Sequence, residues 1–183
     1  MLESEIPGIL VAMPTLDETY FEKSIILLCN YNAEGAFGLI MNRPSSAKVE
    51  ELISPELNCK DTLNVPLLIG GPVEPDSFWA IHSSDISIKE TTSISPKINL
   101  SSANYILSSL AEGQIIKSYQ FGIGFSGWGP GQLDREINEE SWWLGPMDES
   151  ILIDIEYEKR WEKTMINLGF DLITTNFSQT GLV

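Results

Sequence analysis

The chain has 183 residues, 43% of them hydrophobic, which is enough for one well-buried core and too few to favour two, so a single domain spanning 1–183 is expected. Eleven Lys and Arg against twenty-six Asp and Glu give a formal charge of −15, a field that repels nucleic-acid phosphates and anionic lipid heads. The densest charge, Asp134 to Lys163, is mainly acidic, so that region reads as solvated surface and no direct nucleic-acid contact is expected.

The opening MLESEIPGILVAMP has acidic flanks and a short apolar run from Ile9 to Met13, unlike a secretory signal or transit peptide. No stretch approaches the ~20 apolar residues of a membrane span, and a soluble cytoplasmic protein without membrane contact is expected. Apolar runs at Gly8–Met13, Ser24–Tyr31, Ala36–Asn42 and Pro66–Gly70 are short and bounded by turn residues, the signature of strands buried on both faces. Asn32-Ala33-Glu34-Gly35 makes a compact turn, so the second and third strands form an antiparallel hairpin. Asp17–Lys23 reads as a single turn, and Ala47–Ile53, behind Ser45 and Ser46, as a short helix. Cys29 lies inside an apolar run and Cys59 in a polar loop, so no disulfide is expected.

Strands are also predicted at Ser77–His82 and Ser118–Phe125, with an irregular excursion over Ser83–Ser102 holding one edge strand near Lys97–Leu100. Ala103, Ile106, Leu107, Leu110 and Ala111 make one helical stripe, with Ser101 and Ser102 as candidate caps and Gly113 as the stop. A short helix follows over Gly131–Asn138, behind Gly129 and Pro130. Tyr157, Trp161, Met165 and Leu168 repeat at helical spacing before Gly169, and Glu156 with Arg160 forms a favourably oriented pair four apart. Trp142-Trp143 reads as core bulk, and Phe177 as a point where part of the C-terminal tail docks. Mixed strand and helix order with a hairpin predicts an α+β fold: one domain, a mixed sheet with a partly folded β-barrel, flanked by helices.

Several of these segments together resemble the bacterial AlgH/YqgE family. They are Pro7-Gly8-Ile9-Leu10-Val11-Ala12-Met13-Pro14, Gly35-Ala36-Phe37-Gly38-Leu39-Ile40-Met41-Asn42-Arg43-Pro44, Gly70-Gly71-Pro72-Val73, His82, Gly127-Trp128-Gly129-Pro130-Gly131-Gln132-Leu133 and Arg160-Trp161. The resemblance spans nearly the whole chain and implies one α+β domain containing a partly folded barrel. It brings no agreed catalytic residues. Members are often labelled transcriptional regulators because one branch is linked to alginate-gene regulation. The usual Gly-His-Ala ending is replaced here by Gly181-Leu182-Val183.

Five glycines alternate with aromatics in FGIGFSGWGPGQL, residues 121–133. Gly122, Gly124 and Gly127 spell G-x-G-x-x-G, but Trp128 to Gly131 intervene before any helix, so the pyrophosphate turn is rejected. Ser126 lacks the second glycine of a nucleophile elbow, where Trp128 stands instead. The remaining functional reading is an anion pocket in which Gly129 and Gly131 bare main-chain donors, Pro130 takes the first helical position, and Trp128 and Gln132 wall the ligand. Against it stands a packing role, with Trp128 as a core anchor. Arg43 could hold a carboxylate or phosphate, or lock a loop carbonyl and an acidic neighbour. Gly70-Gly71-Pro72 could nest an anion or make a turn. His82, the sole histidine, could act as a base toward Ser126 or a flanking serine, or sit hydrogen-bonded at a strand end. One histidine excludes two-imidazole metal sites, and neither metal nor cofactor is expected. The leading expectation is a non-catalytic regulatory or interaction protein using a protein partner or a small anionic ligand; the alternative is an enzyme or sensor binding a small anion at the glycine loop.

Overall fold

The computed structural model describes residues 8–53, 63 and 65–170. The readings for Cys59, for Phe177 and for Gly181-Leu182-Val183 lie outside them. Apolar runs become strands: β1 is Gly8–Ala12, β2 Ile25–Asn32 and β3 Gly35–Ile40. Ile25, Ile26, Leu27 and Leu28 are all fully buried, as expected of a strand covered on both faces. The β2–β3 hairpin closes through Ala33 and Glu34, with Asn32 opposite Gly35.

Next come β4 Pro44–Lys48, α1 Val49–Leu52, β5 Pro66–Ile69, β6 Val73–Ser83, β7 Thr92–Ser93, β8 Ile98–Ser102 and α2 Ala103–Ala111. The chain continues with β9 Tyr119–Trp128, α3 Gln132–Asn138, β10 Trp142–Pro146, α4 Glu149–Ile153 and α5 Tyr157–Asn167. Eight strands run β10-β1-β2-β3-β9-β6-β8-β7, each antiparallel to its neighbour. They curl into a half-barrel carrying helices, the α+β arrangement expected. β5 makes the sheet mixed, pairing parallel to β9 over Leu67–Ile69 and antiparallel to β4.

β9 is the hub because it changes partner along its length. Its first half lies between β5 and β6, and Ser126 to Trp128 pair with β3. The Trp79 ring packs directly on Gly122, where a Cβ would sit 2.2 Å from Cζ2, and its indole N–H donates to the Gly124 carbonyl at 2.7 Å. That close approach explains the first glycines of the 121–133 run.

Both sheet faces are covered. Leu10, Ile26 and Leu28 pack with Trp128, Leu133 and Trp142 near α3, whereas Ile9, Val11 and Ile25 pack with Ile151 and Met165 beneath α4 and α5. α2 covers Ala80 and Phe121 with Ile106 and Leu107.

Several local expectations need correction. The Ala47–Ile53 helix begins only at Val49, because Ser45 and Ser46 belong to β4. Ser102 holds the cap position of α2 without a side-chain cap bond, while the Ser101 hydroxyl turns to His82 and Thr91. The irregular 83–102 segment carries two strands rather than one. Trp142-Trp143 opens an edge strand on β1, which the sequence reading missed along with α4. The Glu156–Arg160 pair does not form: Glu156 binds Lys159, and Arg160 turns inward.

Candidate functional site

The glycine loop is organised around a carboxylate of its own. Gly131 adopts φ +68, occupies the N-cap of α3, and leaves Pro130 ahead of the helix rather than at its first position. Gln132 Oε1 accepts the Gly129 N–H at 3.0 Å, and Gln132 Nε2 donates to Glu136 Oε1 at 2.8 Å. The indole N–H groups of Trp128 and Trp142 both donate to Glu136 Oε2, at 2.8 and 2.9 Å. Trp128 is 6% exposed, edge-on to Trp142 and stacked on Phe21. Trp128 and Gln132, read from the sequence as walls of an anion pocket, therefore donate to Glu136, a residue that sequence reasoning did not single out, and the Gly129 N–H is taken by Gln132.

Arg43 takes the locking role, donating from Nη2 to the Tyr20 carbonyl at 2.7 Å and to Ser24 Oγ at 3.1 Å, with its guanidinium over the Tyr20 ring. The Gly70 carbonyl accepts from the Ile40 N–H and from Ser126 Oγ, so Gly70-Gly71 ties β3 to β9 and the Ser126 hydroxyl is spent on that tie. Burial pushes the Cys29 thiol up to about 12, far from the thiolate a nucleophile needs.

His82 is 1% exposed near the end of β6. Nδ1 lies 2.9 Å from the Ser83 carbonyl, which can only accept, so Nδ1 carries the proton of the neutral ring. Nε2 then accepts from Ser101 Oγ at 3.0 Å, and the single proton of Thr91 Oγ1 is shared between Ser101 Oγ at 2.8 Å and the Ile88 carbonyl at 2.9 Å. Burial holds the imidazole below its ordinary value, outweighing the Ser83 carbonyl and the Asp85 carboxylate, which pull the other way. Between the folded value and about 6.5 the unfolded chain binds more protons, so stability rises with pH there. The His82 contribution is thus complete above about 6.5 and declines as pH falls below it. Urea unfolding from pH 8 to pH 5 should show this slope, and His82→Gln should flatten it.

His82, Arg43 and the Gly129–Gln132 loop do not converge. His82 instead lies in the wall of a cleft of about 500 Å³ between the β6–β9 ladder and the segment joining α4 to α5. The cleft has an apolar lining from Val65, Ile81, Ile98, Leu152 and Ile155, with Gln120, Tyr157 and Arg160 as its polar groups deeper in and Lys117, Asp154 and Glu156 exposed. Arg160, 2% exposed, donates from Nε to the Ile155 carbonyl at 2.9 Å and from Nη2 to the Leu152 carbonyl at 2.6 Å. Nη1 donates to the Met41 carbonyl and, at 3.4 Å, to Gln120 Oε1. The Tyr157 ring stacks on the guanidinium, 4.3 Å from Cζ. The sequence held one signal for this: residues 157, 160, 161, 164, 165 and 168 share a helix face, which places Arg160 on the buried stripe. Among the described residues no group of three His, Cys, Asp or Glu could hold a metal ion, and no helix is long and apolar enough to cross a membrane.

A curled antiparallel half-barrel, locked at its hub by tryptophan on glycine and bearing a side cleft over a buried arginine, defines an α+β class of protein. Within that class the chain belongs to the AlgH-like family, whose profile matches residues 9–173. A UPF0301 protein of Shewanella loihica is 32% identical over 168 residues, covering 90% of this chain and 91% of that protein. Another from Shewanella sp. strain ANA-3 is 31% identical over 176 residues, covering 93% and 94%. The solution structure of the AlgH protein from Pseudomonas aeruginosa superposes with a TM-score of 0.75 at 26% identity, over 96% of this chain and 94% of that one. A Corynebacterium diphtheriae crystal structure shares the fold, with a TM-score of 0.71 at 20% identity over 90% and 87%.

Proposed function

We propose that this AlgH-like protein is a non-catalytic, cytoplasmic regulatory or interaction protein, working through a protein partner or a small anionic ligand, with any effect on transcription indirect. The observation that carries the reading is the state of His82: a buried neutral imidazole with both nitrogens engaged has no vacant lone pair for a substrate proton. Ser126 and Cys29 support it, the first bonded to a carbonyl and the second held as a thiol. The charge of −15 supports an indirect role at DNA, since duplex binding is driven by phosphate neutralisation with Lys and Arg. In fluorescence anisotropy at physiological salt, a labelled duplex should show no binding tighter than about 10 μM, the middle of the range for non-specific association. Tight binding that weakens steeply with added salt would contradict the reading.

A further inference from the structure

The cleft beside Arg160 has the size and composition of a small-molecule site. Such sites run from about 300 to 1,000 Å³ and combine apolar walls with a few fixed polar groups, and this one, at about 500 Å³, has both. Its polar groups are fixed. Gln120 is held by its own donation to the Leu152 carbonyl, and Arg160 by carbonyls from three separate segments.

The charge of Arg160 has no carboxylate in contact among the described residues, and Glu158 acts on it only through space. Every acceptor it touches is a neutral oxygen, and among the described residues no carboxylate forms an ion pair with it. A buried guanidinium stays protonated in proteins, and a buried charge is normally paired with a counter-charge. One of the two Nη2 hydrogens has no acceptor among the described residues, since the Leu152 carbonyl takes the other. The cleft is where a counter-charge could arrive.

We propose that this cleft receives a small organic acid bearing a single negative charge, its anionic head toward Arg160 and its apolar body against Val65, Ile81, Ile98 and Leu152. The restriction to one charge comes from Asp154, whose exposed carboxylate lines the same opening and repels a polyanion, while Glu156 there is paired with Lys159. Lys117, also exposed there, steers the ligand inward. Gln120 and Tyr157 flank the head and set its orientation.

This deepens the small-anion half of the proposed function and assigns it to a site separate from the glycine loop. Hexanoate, hexanamide and hexyl phosphate form a matched probe series, titrated into the nitrogen-15-labelled full chain. Hexanoate should shift the Arg160 Nε–H and Gln120 side-chain amide signals with a Kd of about 1 mM or tighter, and hexanamide should bind at least about tenfold more weakly. Ile155→Trp, which fills the cleft while keeping the main-chain carbonyl that Arg160 uses, should weaken hexanoate by about tenfold or more. Arg160→Gln should do the same if it folds, and Ile155→Trp decides the matter if it does not. No shift at these signals, equal binding of hexanamide, or unchanged binding in Ile155→Trp overturns the site. Tighter binding of hexyl phosphate than of hexanoate overturns the single-charge restriction. None of these outcomes bears on the duplex measurement, so the two failures can be told apart.

Discussion

Arg160→Met lowers the unfolding free energy by about 3–5 kcal/mol, the range found when one member of a buried charged network is removed. Three carbonyls lose a donor together: Met41 just beyond β3 and Ile155 in the connection to α5 are left without one, whereas Leu152 in α4 keeps the Gln120 amide. Each buried acceptor left unpaired costs about 1–3 kcal/mol. Relief of an uncompensated buried charge works in the opposite direction, so the lower part of the summed cost is expected rather than its maximum. Arg160→Lys keeps the charge but lacks the planar fork that reaches three segments at once, and it should recover less than half of the loss. Urea unfolding monitored by tryptophan fluorescence measures both variants. A change below about 1 kcal/mol in Arg160→Met would mean that the carbonyls find water and that the fork adds little.

Gly71→Ala should be at least as damaging, with a loss above about 4 kcal/mol or failure to fold. A Cβ at Gly71 would stand 2.2 Å from both the carbonyl carbon and the oxygen of Phe125 and 2.4 Å from the Ser126 nitrogen. All three are main-chain atoms of β9, so relief requires moving the strand that carries the sheet. Gly113→Ala supplies the contrast: its φ is +83, yet nothing lies within 4 Å of the added carbon. That substitution should cost only about 1 kcal/mol, the backbone penalty alone. Equal losses at the two positions would show that main-chain conformation, rather than collision, sets the cost at Gly71.

The strands legible in the sequence are those whose residues are apolar on both faces. Gly8–Met13 and Ser24–Tyr31 could hardly be read otherwise, and they became β1 and β2. β10 escaped because Trp142–Pro146 is short, ends in Gly-Pro and is an edge strand, where pattern and propensity are weakest. α4 escaped because five residues show little periodicity; its start is marked only by Asp148 accepting the Ser150 N–H.

The site was less legible than the fold, for a physical reason. Glycine, tryptophan and glutamine in the 127–132 stretch fit an anion pocket and a packed loop equally well, and what separates them is Glu136, which a sequence cannot aim at two indoles. Arg160 was read as the partner of Glu156 because spacing four apart suggests a surface pair. The competing observation, its place on the stripe with Thr164 and Met165, pointed inward, and both of those residues are buried.

In the proposed function the groups able to do chemistry are committed to the architecture, His82 foremost among them. Because His82 is the only histidine, its imidazole signals in an NMR titration need no assignment beyond residue type. The imidazole should titrate with a midpoint below 6.5, with the proton of the neutral ring on Nδ1. A midpoint at or above 6.5, with the neutral ring protonated on Nε2, would contradict it and return His82 to the role of an available base.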